Sequence, residues 1–165
     1  NEVLSEFYEN CSNKLKGYLR EGDEVVVLCE GDPFFYGSFM HLHSRLNAFA
    51  QIQVVPATTG MSGAWTATGQ PITWGDDVLT VLTGTLSEEE LIFHMNKTDA
   101  LVLMKIGTNY KKVETALKRA KLFDRAWAVH YATMANQKVM KLSETSMEEM
   151  PYFGIILVHG KGRRP

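Results

Sequence analysis

An α/β protein of two lobes is the fold class this sequence predicts, and three observations predict it. Apolar, β-branched runs recur at 24–29, 52–55, 78–82 and 100–104, the composition of strands buried in a sheet. Most of these runs stop at a turn of glycine or other small residues, and stretches of helical periodicity lie between them. A short polar stretch, Pro71 with Gly75, Asp76 and Asp77, then separates a first set of elements from a second. The predicted division is 1–72 for the remainder of an N-terminal lobe and 73–165 for a C-terminal lobe.

In chain order, Val3, Leu4, Phe7, Tyr8, Cys11, Leu15 and Leu19 fall near helical spacing over 2–20. Glu21-Gly22-Asp23 closes that helix and leads into Val25-Val26-Val27-Leu28-Cys29, expected as a buried strand in which Cys29 acts as a small apolar residue. The next segment, Glu30-Gly31-Asp32-Pro33-Phe34-Phe35-Tyr36-Gly37, is the most informative in the chain. Gly31 can take any backbone angle and Pro33 cannot continue a ladder, so the strand must turn there. A helix is expected over Ser38–Leu46. Strand, glycine turn and helix is the arrangement by which an open α/β sheet presents a ligand at the carboxyl ends of its strands. Asp32, Phe34 and Phe35 suit a ligand with hydroxyl or ammonium groups and a flat ring. Asp32 could equally cap the helix that follows, and the aromatics could be core.

The strand at 52–55 ends at Pro56. Ala57-Thr58-Thr59-Gly60 is a small-residue turn, and the helix Met61–Thr68 is rich in Ala and Gly, which permits close packing. In the second lobe, Ser87 and Glu90 form a capping box for a helix reaching about Asn96. Asn109 is expected to cap the helix Tyr110–Lys121. Residues 126–131, 138–142 and 152–159 read as closing strands, the last two with little helix between them, which predicts antiparallel pairing. Four turns follow predicted strands, at 30–37, 56–60, 105–109 and 131–136. Together they suggest a shared cleft, although tight turns are also what any α/β chain needs. Lys105, where the chain turns outward, could be solvated or face an acidic ligand.

The bulk numbers bound the function class. The 165 residues are 45% apolar and 22% charged, with a net charge of −2, and show no basic face for nucleic acid. Lys161-Gly162-Arg163-Arg164 reads as a solvated end. Cys11 and Cys29 form no framework and fit a reducing, cytoplasmic setting. No apolar stretch approaches the roughly 20 residues of a membrane span, and no secretory signal is visible. The chain opens at Asn1 directly into a helical pattern, and a preceding portion is expected. His41 and His43 point to different faces and make a poor metal pair. There is no zinc spacing, no Gly-x-x-x-x-Gly-Lys loop and no nucleophile-elbow serine.

Four ordered segments carry a family resemblance: Cys29 to His43, Val54 to Ser62, Met104 to Val113 and Tyr131 to Val139. They resemble the motifs of the tetrapyrrole (corrin/porphyrin) methyltransferases, in particular the precorrin-2 C(20)-methyltransferase branch. The ending Pro151-Tyr152-Phe153 agrees as well, so the resemblance covers nearly the whole chain. It implies a two-lobed tetrapyrrole methylase fold, its first lobe incomplete in this chain, with S-adenosylmethionine folded between lobes and S-adenosylhomocysteine as product. The implied reaction is methyl transfer to a meso carbon of precorrin-2 on the path to cobalamin. By matching position, Gly31, Asp32, Phe35, Thr59, Gly60, Lys105, Ala132 and Thr133 are implied as cofactor-binding. Tyr36, Arg45 and Lys111 are candidates for the carboxylate-bearing tetrapyrrole, with Lys112 at the rim. No catalytic side chain and no metal are expected, because the reaction needs positioning above all.

Three departures from the family pattern stand out. The family's first motif, a Gly-x-Gly-Pro-Gly loop, is absent, Ala57 stands where glycine is usual, and Thr108 where the branch has arginine. The competing readings are the same methylation on the cobalt-loaded substrate, cobalt-factor II, and a non-catalytic module of the same fold. A homodimer is expected because Trp65 and Trp74 are read as exposed.

Overall fold

A computed structural model describes residues 2–162. Arg163 and Arg164 of the expected solvated tail lie outside the described residues. The chain divides into two compact units, residues up to Thr59 and residues from Gly60 onward.

The first unit is helical. α1, Glu2–Arg20, packs against α2, Phe39–Leu46. The tie between them is polar as well as apolar. Arg45 Nε lies 3.3 Å from a Glu9 carboxylate oxygen, and the Tyr8 and His41 rings stack at 4.6 Å. The expected strands at 24–29 and 52–55 do not form; neither segment joins a ladder. Val26 is 81% exposed, Leu28 90%, and Cys29 is exposed rather than buried. A β-branched run states what a strand would be made of. The ladder also needs a neighbour, and among the described residues this unit contains no strand to supply one.

The second unit opens with α3, Gly60–Ala67, followed by β1, Leu79–Thr83, α4, Glu88–Met95, and β2, Ala100–Met104. A 3₁₀ turn at Gly107–Asn109 leads into α5, Tyr110–Arg119; then come β3, Ala126–His130, β4, Lys138–Lys141, and β5, Gly154–Val158. The five strands are ordered β1-β2-β5-β3-β4, with β1 and β2 parallel and every other pairing antiparallel. β5 inserts between β2 and β3, so the expected strands at 138–142 and 152–159 do not pair with each other; each pairs antiparallel with β3 instead. Ser87 caps α4 as expected: its hydroxyl accepts from the Glu90 amide at 3.2 Å, and its own amide donates to the Glu90 carboxylate at 3.0 Å. Asn109 does not cap α5 with its side chain, because the chain enters that helix through the 3₁₀ turn.

Side chains alternate along the strands, so each face of the sheet builds its own core. Leu101, Leu103, Ala126, Ala128, Ile156 and Val158 meet Leu91 and Met95 of α4 and Val113, Ala116 and Leu117 of α5. Ala100, Val102, Val129 and Leu157 face Ala64 of α3. Trp65 packs half-buried against this second core, and Trp74 is half-buried too. Neither is an exposed apolar surface, so the tryptophans supply no argument for a dimer. Among the described residues, no helix is long and apolar enough to cross a membrane.

Candidate functional site

The two units contribute turns that are described separately. In the first unit, Gly31 has φ +76°, a conformation glycine adopts without cost. Asp32 does not cap α2, whose N-cap Ser38 has no side-chain bond. One Asp32 carboxylate oxygen accepts from the Phe34 amide at 2.9 Å, and the other accepts from the Ala57 amide at 3.2 Å. Asp32 therefore fixes its own turn and ties it to Ala57, so the 30–37 turn and the 57–59 segment of this unit are held together. Phe35 lies edge-to-face with Tyr36 at 4.9 Å, and Phe34 stands against His43. The Arg45 guanidinium faces α1, with Glu9 and the Ser5 hydroxyl as partners and a further bond to the His41 carbonyl.

In the second unit, β1, β2 and β3 run the same way, and their carboxyl ends share one edge of the sheet. Lys105 follows β2 there, and Tyr131, Ala132 and Thr133 follow β3. The structure brings these expected site residues to one edge. Gly84, after β1, joins them through a backbone bond to Met104 of 2.7 Å. A Cβ on Gly84 would stand 2.9 Å from the Ile106 Cα, so only glycine permits this approach. On the opposite face, Gly63 lets α3 come close; a Cβ there would lie 3.0 Å from the Thr133 methyl. The sequence marks α3 as able to pack closely but does not say against what.

Backbone conformation singles out the same turns. Among the described residues, five that are not glycine have positive φ: Tyr36, Lys105, Lys121, Tyr131 and Thr133. Lys121 follows the C-terminus of α5, where a left-handed residue is an ordinary stop. The other four all lie in the 30–37, 105–109 and 131–136 turns. Each costs on the order of 1–3 kcal/mol and persists only where its surroundings over-determine it, a pattern that concentrates at ligand sites. The 131–136 turn is pinned by Gln137, whose side-chain oxygen accepts from the Thr133 amide at 2.7 Å, and by the Tyr131 amide donating to Phe153.

Sequence reasoning missed His130, the last residue of β3. It follows Ala126 and Ala128 on the sheet face covered by α4 and α5, and it pairs with Lys138 across the ladder. Its Nε2 is sealed from water with no hydrogen-bond partner; an unsatisfied group of this kind costs roughly 1–3 kcal/mol. Burial, helped by the Lys138 charge, holds the imidazole below the usual histidine pKa and hence neutral near pH 7. His130 lines a cavity of about 670 Å³ together with Thr108, Lys111, Met147, Glu148 and Glu149. The far wall is held in place by the Met150 amide donating to the Gly107 carbonyl.

Three comparisons bear on this arrangement. The signature of the tetrapyrrole (corrin/porphyrin) methylases matches residues 1–148. A precorrin-2 C(20)-methyltransferase of Sinorhizobium sp. is 43% identical over 162 residues, 98% of this chain and 66% of that protein. This chain thus spans slightly under two thirds of its relative's length. Among solved structures, a cobalt precorrin-4 methyltransferase superposes with a TM-score of 0.73 at 22% identity, covering 92% of this chain and 70% of its own. A uroporphyrin-III C-methyltransferase from Thermus thermophilus, solved with S-adenosylhomocysteine, gives 0.67 at 21% identity, covering 91% and 72%. At such identities these two establish the fold.

Proposed function

As the chain belongs to the tetrapyrrole (corrin/porphyrin) methylase family, we propose that it takes part in S-adenosylmethionine-dependent methylation of C-20 of precorrin-2, giving precorrin-3A in cobalamin biosynthesis. The observation that carries this reading is the coincidence of strain with motif. Tyr36, Lys105, Tyr131 and Thr133 hold left-handed backbone in turns that the family resemblance assigns to the ligands. The whole-chain likeness to the Sinorhizobium enzyme supports the choice of substrate.

The residues present fit a cofactor held mainly by backbone groups. Gly31, Asp32, Phe35 and Thr59 are proposed contacts in the first unit, and Gly60, Lys105, Ala132 and Thr133 in the second. In this reading Asp32 acts by fixing two turns at once, since both its oxygens already accept backbone amides. Gln137 does the same for Thr133. S-adenosylmethionine supplies an activated methyl group, and the reduced tetrapyrrole is an electron-rich carbon nucleophile. Holding two reactants in line can contribute roughly 7–11 kcal/mol toward a barrier, so rigid turns suffice and no covalent nucleophile is invoked. Tyr36 and Lys111 are proposed to contact the tetrapyrrole. Arg45 would have to release Glu9 to do so.

The test is turnover with methyl-labelled cofactor on precorrin-2 and, separately, on cobalt-factor II. Methylation of the metal-free substrate at C-20 is the expected result. Turnover of the cobalt-loaded substrate alone would move the protein to the oxygen-independent route, and turnover of neither would sink the reading.

A further inference from the structure

One short segment, residues 150–154, reaches both of the turns that follow β2 and β3. The Met150 amide donates to the Gly107 carbonyl in the 105–109 turn at 3.1 Å. Further along, the Phe153 carbonyl accepts from the Tyr131 amide, at the start of the 131–136 turn, at 2.8 Å. Both turns hold strained backbone, with Lys105 at φ +51° in one and Tyr131 at φ +52° in the other. The topology explains why a separate segment makes these bonds. β2 and β3 are not neighbours; β5 runs antiparallel between them, so the residues that lead into β5 arrive between the two turns. The segment is anchored at each end. Met150 is buried in the core beneath α4 and α5, and Gly154 opens β5 opposite His130. Pro151 fixes its own φ between them. A Cβ on Gly154 would stand 2.8 Å from the Pro151 carbonyl oxygen and 2.8 Å from the Met150 Cε. The contact with backbone cannot be relieved by turning a side chain, so only glycine permits this path.

We propose that residues 150–154 form a brace that sets the 105–109 and 131–136 turns relative to each other, with Gly154 as its positioning residue, so that the two turns meet a ligand as one unit. Strained residues persist only where their surroundings over-determine them. Here the constraint reaches both turns from one piece of backbone, fixed at one end by core packing and at the other by the sheet. A site held in its bound arrangement loses less freedom on binding, and the gain appears as affinity. The brace needs no side chain to touch the ligand; it acts through the Met150 amide and the Phe153 carbonyl. The ligand assigned to the turns rests on the methyl-transfer reading, whereas the brace rests on two hydrogen bonds and one glycine.

Hydrogen exchange read at single amides by NMR, together with titration of S-adenosylhomocysteine, tests the brace in the full chain. Pro151→Gly frees the segment without adding bulk, and Gly154→Ala forces it apart. In Pro151→Gly the Met150 and Tyr131 amides are expected to exchange faster together, by roughly 2- to 5-fold, the scale of the freedom a proline removes. The amides of β2 should keep the parent rate. Gly154→Ala should have the larger effect, roughly 10-fold or more, because a methyl group meets backbone. Both variants should weaken S-adenosylhomocysteine binding in the same order, which lowered stability alone would not do in a chain that stays folded. Faster exchange at one of the two amides without the other would overturn the brace. So would unchanged exchange at both, or faster exchange at both with unchanged affinity. Should Gly154→Ala fail to fold, Pro151→Gly decides by itself. A parent that binds no S-adenosylhomocysteine would strike the methyl-transfer reading instead, and the paired exchange of the two amides would still decide the brace.

Discussion

Asp32 shows how one side chain can hold two backbone segments of the first unit together. Its two oxygens tie the Phe34 and Ala57 amides, so Asp32→Ala should loosen both turns and weaken S-adenosylhomocysteine binding by roughly 10-fold, the scale of one or two lost charge-assisted bonds. An unchanged dissociation constant would reduce it to a local turn former. Thr133 makes the opposite trade. A β-branched residue at φ +66° is strained, and Thr133→Gly should raise stability by about 1 kcal/mol in urea unfolding. The same variant should bind the cofactor product less tightly, because the turn loses its rigidity. Two histidines set a pH dependence. Burial lowers the pKa of His130, aided by Lys138, and that of His159, aided by Arg125 and opposed by the Pro71 carbonyl that its Nδ1 meets. Below the ordinary histidine value of about 6.5 the unfolded chain takes up protons that the fold still refuses. Stability is therefore full above that pH and falls as the pH drops toward the lowered folded values. Urea midpoints at pH 8 and pH 5.5 should show the loss, and His159→Gln should shrink it.

At the scale of elements, the legibility of the sequence divides along the physics. Helix signals are local, and they were readable: the Ser87–Glu90 box forms as the four-residue pattern requires, and Ser87→Ala should cost about 1 kcal/mol in unfolding measurements. Strands depend on partners that sequence does not name. The runs at 100–104 and 78–82 found neighbours and became β2 and β1. The equally apolar run at 24–29 found none among the described residues and stays outside any sheet, largely exposed. Close approaches were half legible. The glycines of 61–68 announced a need for space, but only the fold shows that Thr133 lies against Gly63, and the approach of Gly84 to the Ile106 backbone carried no sequence reading at all. Gly84→Ala puts a methyl group against backbone and should destabilise by roughly 1–3 kcal/mol. The candidate turns were read from motif order, yet the strain at Tyr36, Lys105, Tyr131 and Thr133 was invisible, since none is a glycine. His130 stayed hidden for another reason: a histidine ending a strand carries no local signal, and its orphaned nitrogen exists only once β4, α5 and the 147–149 segment surround it.

The whole molecule pairs a helical unit that carries the Asp32 turns with a three-layer unit whose sheet edge carries the Lys105, His130 and Thr133 turns. Strained backbone recurs at Tyr36, Lys105, Tyr131 and Thr133, the turns to which the proposed methyl-transfer chemistry is assigned. The central proposal is that this chain binds a methyl donor, and calorimetric titration with S-adenosylhomocysteine tests it most directly. Micromolar binding of one molecule per chain, weakened by Asp32→Ala, is the predicted result. A folded protein that gives no heat of binding at millimolar ligand would contradict it and leave a methylase fold without its cofactor.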